Sequence, residues 1–236
     1  MPRALILGDS HVDANGFGKT LEAALQAKGY TVVRFGVGAT AARSWLAGPV
    51  TRKGLGAYRS LTEAANAGPY DIALIVLGTN DAANTYRASI EGGPSMDRGI
   101  PVAAQQIKQV AGSIPSRVTW WIGPPAMGDS VAYYNNASVD SLWNTAAPLF
   151  APYAFDSRAI TAPHARTKGA SDGVHYYGTA ATQWAQAVAE RVTAPSFLPM
   201  GVLGGAATGS TLYWLLAGVV ALVAVLGLRG RDASEE

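Results

Sequence analysis

Gly8-Asp9-Ser10 follows directly on the apolar run Ala4-Leu5-Ile6-Leu7. A buried strand that breaks at glycine and presents a serine at its carboxyl end lies where open parallel sheets place their chemistry, so Ser10 is a candidate nucleophile. A serine hydroxyl attacks poorly at neutral pH. It needs a base to take its proton, a group to orient that base, and fixed donors for the oxyanion that forms. The chain has three histidines, His11, His164 and His175. Two further apolar runs end in polar or glycine-rich blocks. Thr31-Val32-Val33-Arg34-Phe35 ends in Gly36-Val37-Gly38, and Asp71-Ile72-Ala73-Leu74-Ile75-Val76-Leu77 ends in Gly78-Thr79-Asn80-Asp81. Asp172-Gly173-Val174-His175 stands much later.

A serine, a glycine, an asparagine and a histidine in four short blocks, in this order, resemble the SGNH (GDSL-type) hydrolase family. The resemblance runs from Leu5 to about Val192. It implies a Ser10 nucleophile, His175 as general base and then acid, and Asp172 holding the imidazole in the required tautomer. An imidazole suits both proton transfers because its ordinary pKa, about 6.5, lies near working pH. The resemblance further implies an oxyanion hole made by the Ser10 N–H, the Gly38 N–H and the Asn80 side-chain amide. Gly38 is chosen over Gly36 because the family's glycine sits a little past the strand end, before a small hydroxylated residue, here Thr40. Asp9 and Asp81 are expected to bond backbone near these loops rather than to act as a glycosidase pair. His11 is expected to point away from the cleft, and His164 lies in a proline-containing loop with no patterned partner.

Other motifs fail on their own terms. Gly18-Lys19-Thr20 imitates the end of a phosphate loop, but that pattern needs glycine at position 13, where Asp13 would repel phosphate. Gly36-Val37-Gly38 imitates a dinucleotide turn, yet no acid closes a following strand. There is no cysteine, which excludes disulfides and thiolate chemistry. No His and carboxylate cluster has metal spacing, so no metal and no organic cofactor are expected. A net charge of +2, without a basic stretch interleaved with aromatics, gives no reason to expect a nucleic-acid partner.

The elements that must position these residues alternate between strand and helix. Helical spacing runs from Lys19 to Leu25, from Leu55 to Ala67, from Ile100 to Ala111, from about Val139 to Phe150 and from about Gly178 to Val192. A fourth strand is read at Arg117–Ile122 and a short fifth at Tyr153–Asp156, while Ala82 to Gly99 reads as irregular. Connections too long for hairpins give a parallel sheet covered on both faces. The expected fold is α/β, a three-layer α/β/α domain with a five-stranded parallel sheet, and the resemblance implies a flavodoxin-like strand order 2-1-3-4-5.

The domain is expected to span residues 1–192, followed by a Gly/Ala/Ser/Thr linker at 193–210 and a charged tail at 229–236. No charged residue occurs between Arg191 and Arg229. At about 1.5 Å per residue, the apolar run Thr211 to Leu228 with a few flanking residues matches a hydrocarbon core of about 30 Å, which reads as a transmembrane helix contacting a lipid bilayer. No cleaved secretory signal is visible at the amino end. Orientation is contested: Arg229 and Arg231 favour a cytoplasmic tail, while the lack of a visible signal argues against export of the domain. The domain is expected outside the cytoplasm or in a viral particle, where acylated envelope polysaccharides are found.

The expected activity is hydrolysis of an acyl ester, acetyl among the candidates, on a carbohydrate or other small ester. The loop residues Tyr133, Tyr134, Asn135 and Asn136 suit a polar ligand. Two alternatives stand beside it. One is a membrane-associated lipase, lysophospholipase or thioesterase, and the other is a non-enzymatic binding or virion structural module that keeps the fold.

Overall fold

Apolar runs bounded by glycine, proline or polar residues pair into one parallel sheet, because each is buried on both faces and can satisfy its backbone only laterally. The computed structural model describes residues 1–13, 16–51, 58–128 and 133–195. In chain order the elements are β1 (Arg3–Gly8), α1 (Ser10–Asp13), α2 (Phe17–Ala27), β2 (Thr31–Gly36), α3 (Ala42–Leu46), β3 (Val50–Thr51), β4 (Tyr58–Arg59) and α4 (Leu61–Asn66). There follow β5 (Tyr70–Val76), α5 (Thr79–Ile90), α6 (Met96–Gly112), β6 (Ser116–Ile122), α7 (Asn136–Phe150), β7 (Ala154–Phe155), α8 (Arg158–Thr161), a 3₁₀ turn at Ala162–His164, and α9 (Gly178–Val192). The five-stranded sheet has the order β2-β1-β5-β6-β7, all parallel, which is 2-1-3-4-5 when the sheet strands alone are counted. The short β3 and β4 form a separate antiparallel pair.

Alternation along the strands divides the core in two. Leu5, Leu7, Ala73, Ile75 and Trp121 face α6 and α7, where Ile107, Leu142 and Phe150 meet them. Ala4, Ile6, Ile72, Leu74 and Trp120 face α2 and α9, where Leu21, Leu25, Trp184 and Val188 close the other layer. Fully burying each of the Leu, Ile, Val and Phe side chains contributes about 1.5–3 kcal/mol. Trp184 is the keystone of the α9 side, stacked on Phe17 with ring centroids 3.6 Å apart and donating its indole N–H to Ser157 Oγ at 3.0 Å.

Two expectations need correction. The stretch Ala82–Gly99 is mostly helical, since α5 continues to Ile90 and α6 starts at Met96. The α5 sequence buries only its first turn, Thr79 to Ala83, so it carries no apolar stripe from which a helix could be read. It is held instead by close approach to α6, where a Cβ on Gly99 would lie 2.4 Å from Thr85 Cγ2. The helix expected over Leu55–Ala67 is described only at Leu61–Asn66, capped by Ser60 Oγ accepting the Glu63 N–H at 3.0 Å, and the preceding Tyr58–Arg59 is strand.

The apolar run Thr211–Leu228, with its linker and tail, lies outside the described residues. Among the described residues no helix is long and apolar enough to cross a membrane.

Candidate active site

The carboxyl ends of β1, β2 and β5 lie level, with Gly8 opposite both Gly36 and Val76. Everything that leaves these ends is therefore delivered to one edge of the sheet. Ser10 opens α1 immediately past β1, so its N–H sits in a first helical turn, without an intrahelical acceptor. Asp9 N-caps that turn, its Oδ1 accepting the His11 N–H at 3.0 Å. Gly36 is where β2 passes α1. A Cβ there would fall 2.3 Å from the Asp13 nitrogen, so a side chain cannot be accommodated. A Cβ on Gly38, by contrast, would stand 3.9 Å from Ser10 Cβ, which places the Gly38 backbone beside the nucleophile.

The loop from Ser171 to Tyr177 brings the third component. Ser10 Oγ and His175 Nε2 are 2.9 Å apart, and His175 Nδ1 is 3.0 Å from Asp172 Oδ2. The tautomer this chain requires has Ser10 O–H donating to Nε2 and Nδ1–H donating to the carboxylate. Asp172 Oδ1 also accepts the N–H groups of His175 at 2.7 Å and Val174 at 2.9 Å, and Tyr177 O–H donates to Oδ2 at 3.0 Å. Partial burial opposes ionisation of Asp172, but the His175 N–H, the His175 ring and the Val174 N–H outweigh it and hold the carboxyl well below the usual carboxylate range. The arrangement is a nucleophile, a base and an orienting anion in hydrogen-bonded sequence.

Asn80 arrives through β5 and α5. Gly78, at φ 132°, makes the turn between them in a backbone region that other residues avoid, and a Cβ there would also meet Leu142 and Pro124 at 3.1 Å. Asn80 Nδ2 donates to the Thr40 carbonyl at 3.0 Å, with Asp9 Oδ2 at 3.4 Å, while Asn80 Oδ1 accepts from Tyr134 O–H at 2.9 Å. Asn80 is thus tied to the serine loop, the glycine loop and the α7 entry at once. Asp81 Oδ1 accepts the Ala42 N–H at 2.9 Å, so both Asp9 and Asp81 bond backbone around these loops.

Three findings were not readable in the sequence. His11 is buried with its ring centroid 5.4 Å from that of His175 and 5.5 Å from Trp184, so it lies beside the base instead of pointing away from the site. Tyr134, Asn135 and Asn136 are part-buried and each makes an internal hydrogen bond: Tyr134 to Asn80, Asn135 to the Ser138 N–H, and Asn136 to the Met127 backbone at 2.8 and 3.0 Å. Lastly, the Gly38 N–H donates to Asp13 Oδ2 at 3.2 Å, a contact between two loops with no local sequence signal. His164 is remote, bonded to Gln183 at 2.8 Å. A cavity of about 800 Å³ between α5 and α6 is lined by Arg43, Asp81, Arg98 and Gln106 among others, and by none of Ser10, Asp172 or His175. Among the described residues no three His, Asp or Glu gather as a metal site.

Two buried groups below the site titrate in opposite senses. Burial, and secondarily Asp81, push the Asp9 carboxyl up from 3.8 to about 7 against the His11 N–H. Burial, then the neighbouring His175, pull His11 down from 6.5 to about 3. Asp9 therefore contributes stability that is full below pH 3.8 and lost as pH rises toward about 7. His11 contributes stability that is full above pH 6.5 and lost as pH falls toward about 3. Over the shared interval the two slopes oppose one another. Relative to the unaltered protein, Asp9→Asn should gain stability as pH rises from about 5 to 7, by up to about 1.4 kcal/mol per pH unit, and His11→Phe should gain as pH falls over the same range. Urea unfolding at a series of pH values reads both, and curves parallel to the unaltered protein would contradict the assignment.

With the geometry established, comparison with known proteins shows what the fold is shared with. No protein-family model matches the sequence, and no curated protein compared is detectably similar. Solved structures do match. An acetylxylan esterase, Axe2, from Geobacillus stearothermophilus superposes with a TM-score of 0.58 at 16% identity, covering 84% of this chain and 96% of that one. An aryl esterase from M. smegmatis gives 0.53 at 20% identity, covering 81% and 98%. The fold is that of known esterases. At such identities the likeness establishes the architecture, and the chemistry rests on the side chains described above.

Proposed function

We propose that this chain is a serine ester hydrolase of the SGNH type. The observation that carries the reading is the continuous contact Ser10 Oγ, His175 Nε2, His175 Nδ1, Asp172 Oδ2, at 2.9 and 3.0 Å, at the carboxyl edge of a parallel sheet. In the acylation step Ser10 Oγ bonds to the ester carbonyl carbon while its proton passes to His175 Nε2. The tetrahedral oxygen is received by the Ser10 N–H, the Gly38 N–H and Asn80 Nδ2, and the proton on His175 then leaves with the alcohol. Water repeats the sequence to free the acid. Asp172, held ionised by its N–H donors, stabilises the imidazolium in both halves.

The substrate reading is a short acyl ester, acetyl foremost, with a carbohydrate acceptor as one candidate. Its support is the shared fold with an acetylxylan esterase and an aryl esterase. At residues 133–136 three of the four side chains already make internal hydrogen bonds, so that loop adds no separate support for a sugar. Purified protein assayed against acetyl, butyryl and long-chain aryl esters tests the proposal. Release from the acetyl ester is expected, and no turnover of any ester would overturn it. We further propose that the apolar run Thr211–Leu228 anchors the domain to a bilayer, with the domain outside the cytoplasm or in a viral particle; recovery of the full chain in the soluble fraction of broken cells would contradict the anchor.

Asn80→Ala should lower kcat by roughly 10²–10³-fold with a smaller change in KM, since a donor to the oxyanion acts mainly in the transition state. Steady-state kinetics on an aryl acetate reads this. A change in KM alone would make Asn80 a substrate-binding residue instead.

A further inference from the structure

The Gly38 N–H is a donor the hydrolase reading assigns to the developing oxyanion, yet it already carries a negatively charged oxygen. Asp13 Oδ2 accepts from it at 3.2 Å. The same Oδ2 would lie 3.4 Å from a Cβ on Gly38, and Ser10 Cβ would lie 3.9 Å from it, so carboxylate and nucleophile flank one point of the loop. They are also three residues apart on one helical turn, Ser10 opening α1 and Asp13 closing it, which puts both side chains on the same face.

The backbone that carries Asp13 is tightly fixed. Its N–H donates to the Asp9 carbonyl at 3.0 Å, Gly36 passes against it, and the Arg34 guanidinium donates to the adjoining Val12 carbonyl. Asp13 itself is half-buried, so solvent reaches the side chain that must turn aside when the carboxylate is displaced. A carboxylate oxygen on that backbone donor beside a serine nucleophile has the charge of the tetrahedral intermediate's oxygen and holds one of the donors that oxygen would use.

We propose that the Asp13 carboxylate is an internal occupant of the oxyanion hole, held on the Gly38 N–H until the carbonyl oxygen of an ester displaces it. The proposal rests on the hydrolase reading. It makes Asp13 a residue that opposes turnover, both by competing for the donor and by placing a like charge next to the developing oxyanion. Displacement favours acyl groups whose carbonyl oxygen binds well, and removal of the carboxylate relieves every ester of that competition. The opposite role is that Asp13 orders the Gly38 loop for catalysis, in which case its removal slows the reaction.

The test uses the full chain, unaltered and as Asp13→Ala and Asp13→Asn, with two readouts: kcat/KM on 4-nitrophenyl acetate, and the second-order rate of inactivation by an uncharged alkyl fluorophosphonate, whose P=O oxygen must enter the same hole. The proposal predicts both rates up about 5- to 10-fold in Asp13→Ala, with a smaller rise in Asp13→Asn, whose amide oxygen still accepts from Gly38 without the charge. Should the alanine variant fail to fold, the near-isosteric asparagine variant is read in its place. Rates equal to or below those of the unaltered protein overturn the Asp13 proposal while leaving the hydrolase reading intact. No reaction in any form of the protein overturns both.

Discussion

Replacing Ser10 by alanine should cut ester turnover by about 10⁴-fold or more while leaving the protein folded. The reason is visible in the contacts. The Ser10 hydroxyl meets His175 Nε2, the backbone of α1 is capped by Asp9 and not by the serine side chain, and neither core cluster uses Ser10. Removing one oxygen therefore deletes the bond-forming atom and little of the fold. An aryl acetate assay together with thermal unfolding separates the two effects. A variant that keeps more than about one part in a hundred of the activity would place the nucleophile elsewhere.

His175→Ala should be nearly as severe, and the double variant with Ser10→Ala little worse than either alone. A nucleophile whose proton has nowhere to go is as inert as one that is missing. The comparison that matters is with His11, which sits 5.4 Å away, ring to ring, and is the other imidazole near Ser10. It is buried against Trp184, and its depressed pKa opposes the proton uptake that a base must perform. His11→Ala should act through the placement of the His175 ring and cost much less than His175→Ala. The reverse ranking would mean that the base has been misassigned.

Much of this was legible because parallel strands buried on both faces write themselves as apolar runs, and because each run here stops at a glycine. Leu5–Leu7, Val32–Phe35 and Ile72–Val76 could be located that way, and the residues following them fall at one edge of the sheet. Helix α9 was readable from the spacing of Trp184 and Val188. Helix α5 was not, since beyond Ala83 it continues as the polar, part-buried run Asn84-Thr85-Tyr86 and the exposed Arg87, and its stability comes from contact with α6. The loops defeated sequence reading for a related reason. Tyr134 bonds Asn80 across 54 positions, and Asp13 bonds the Gly38 N–H across 25, so their partners are set by topology and not by neighbouring residues. Asp13 stood out only as the residue that spoils a phosphate loop. Its place on an oxyanion donor emerges once β1 and β2 are paired and their ends level.

The central claim is that Ser10 is a nucleophile activated by His175. Treating the purified protein with an alkyl fluorophosphonate and measuring its intact mass and peptide map tests this most directly, because covalent capture depends on activation of the hydroxyl and not on knowing the natural ester. The account predicts a single adduct on the peptide carrying Ser10, lost in both Ser10→Ala and His175→Ala. An adduct on another residue, or labelling of Ser10 that proceeds unchanged without His175, would contradict it.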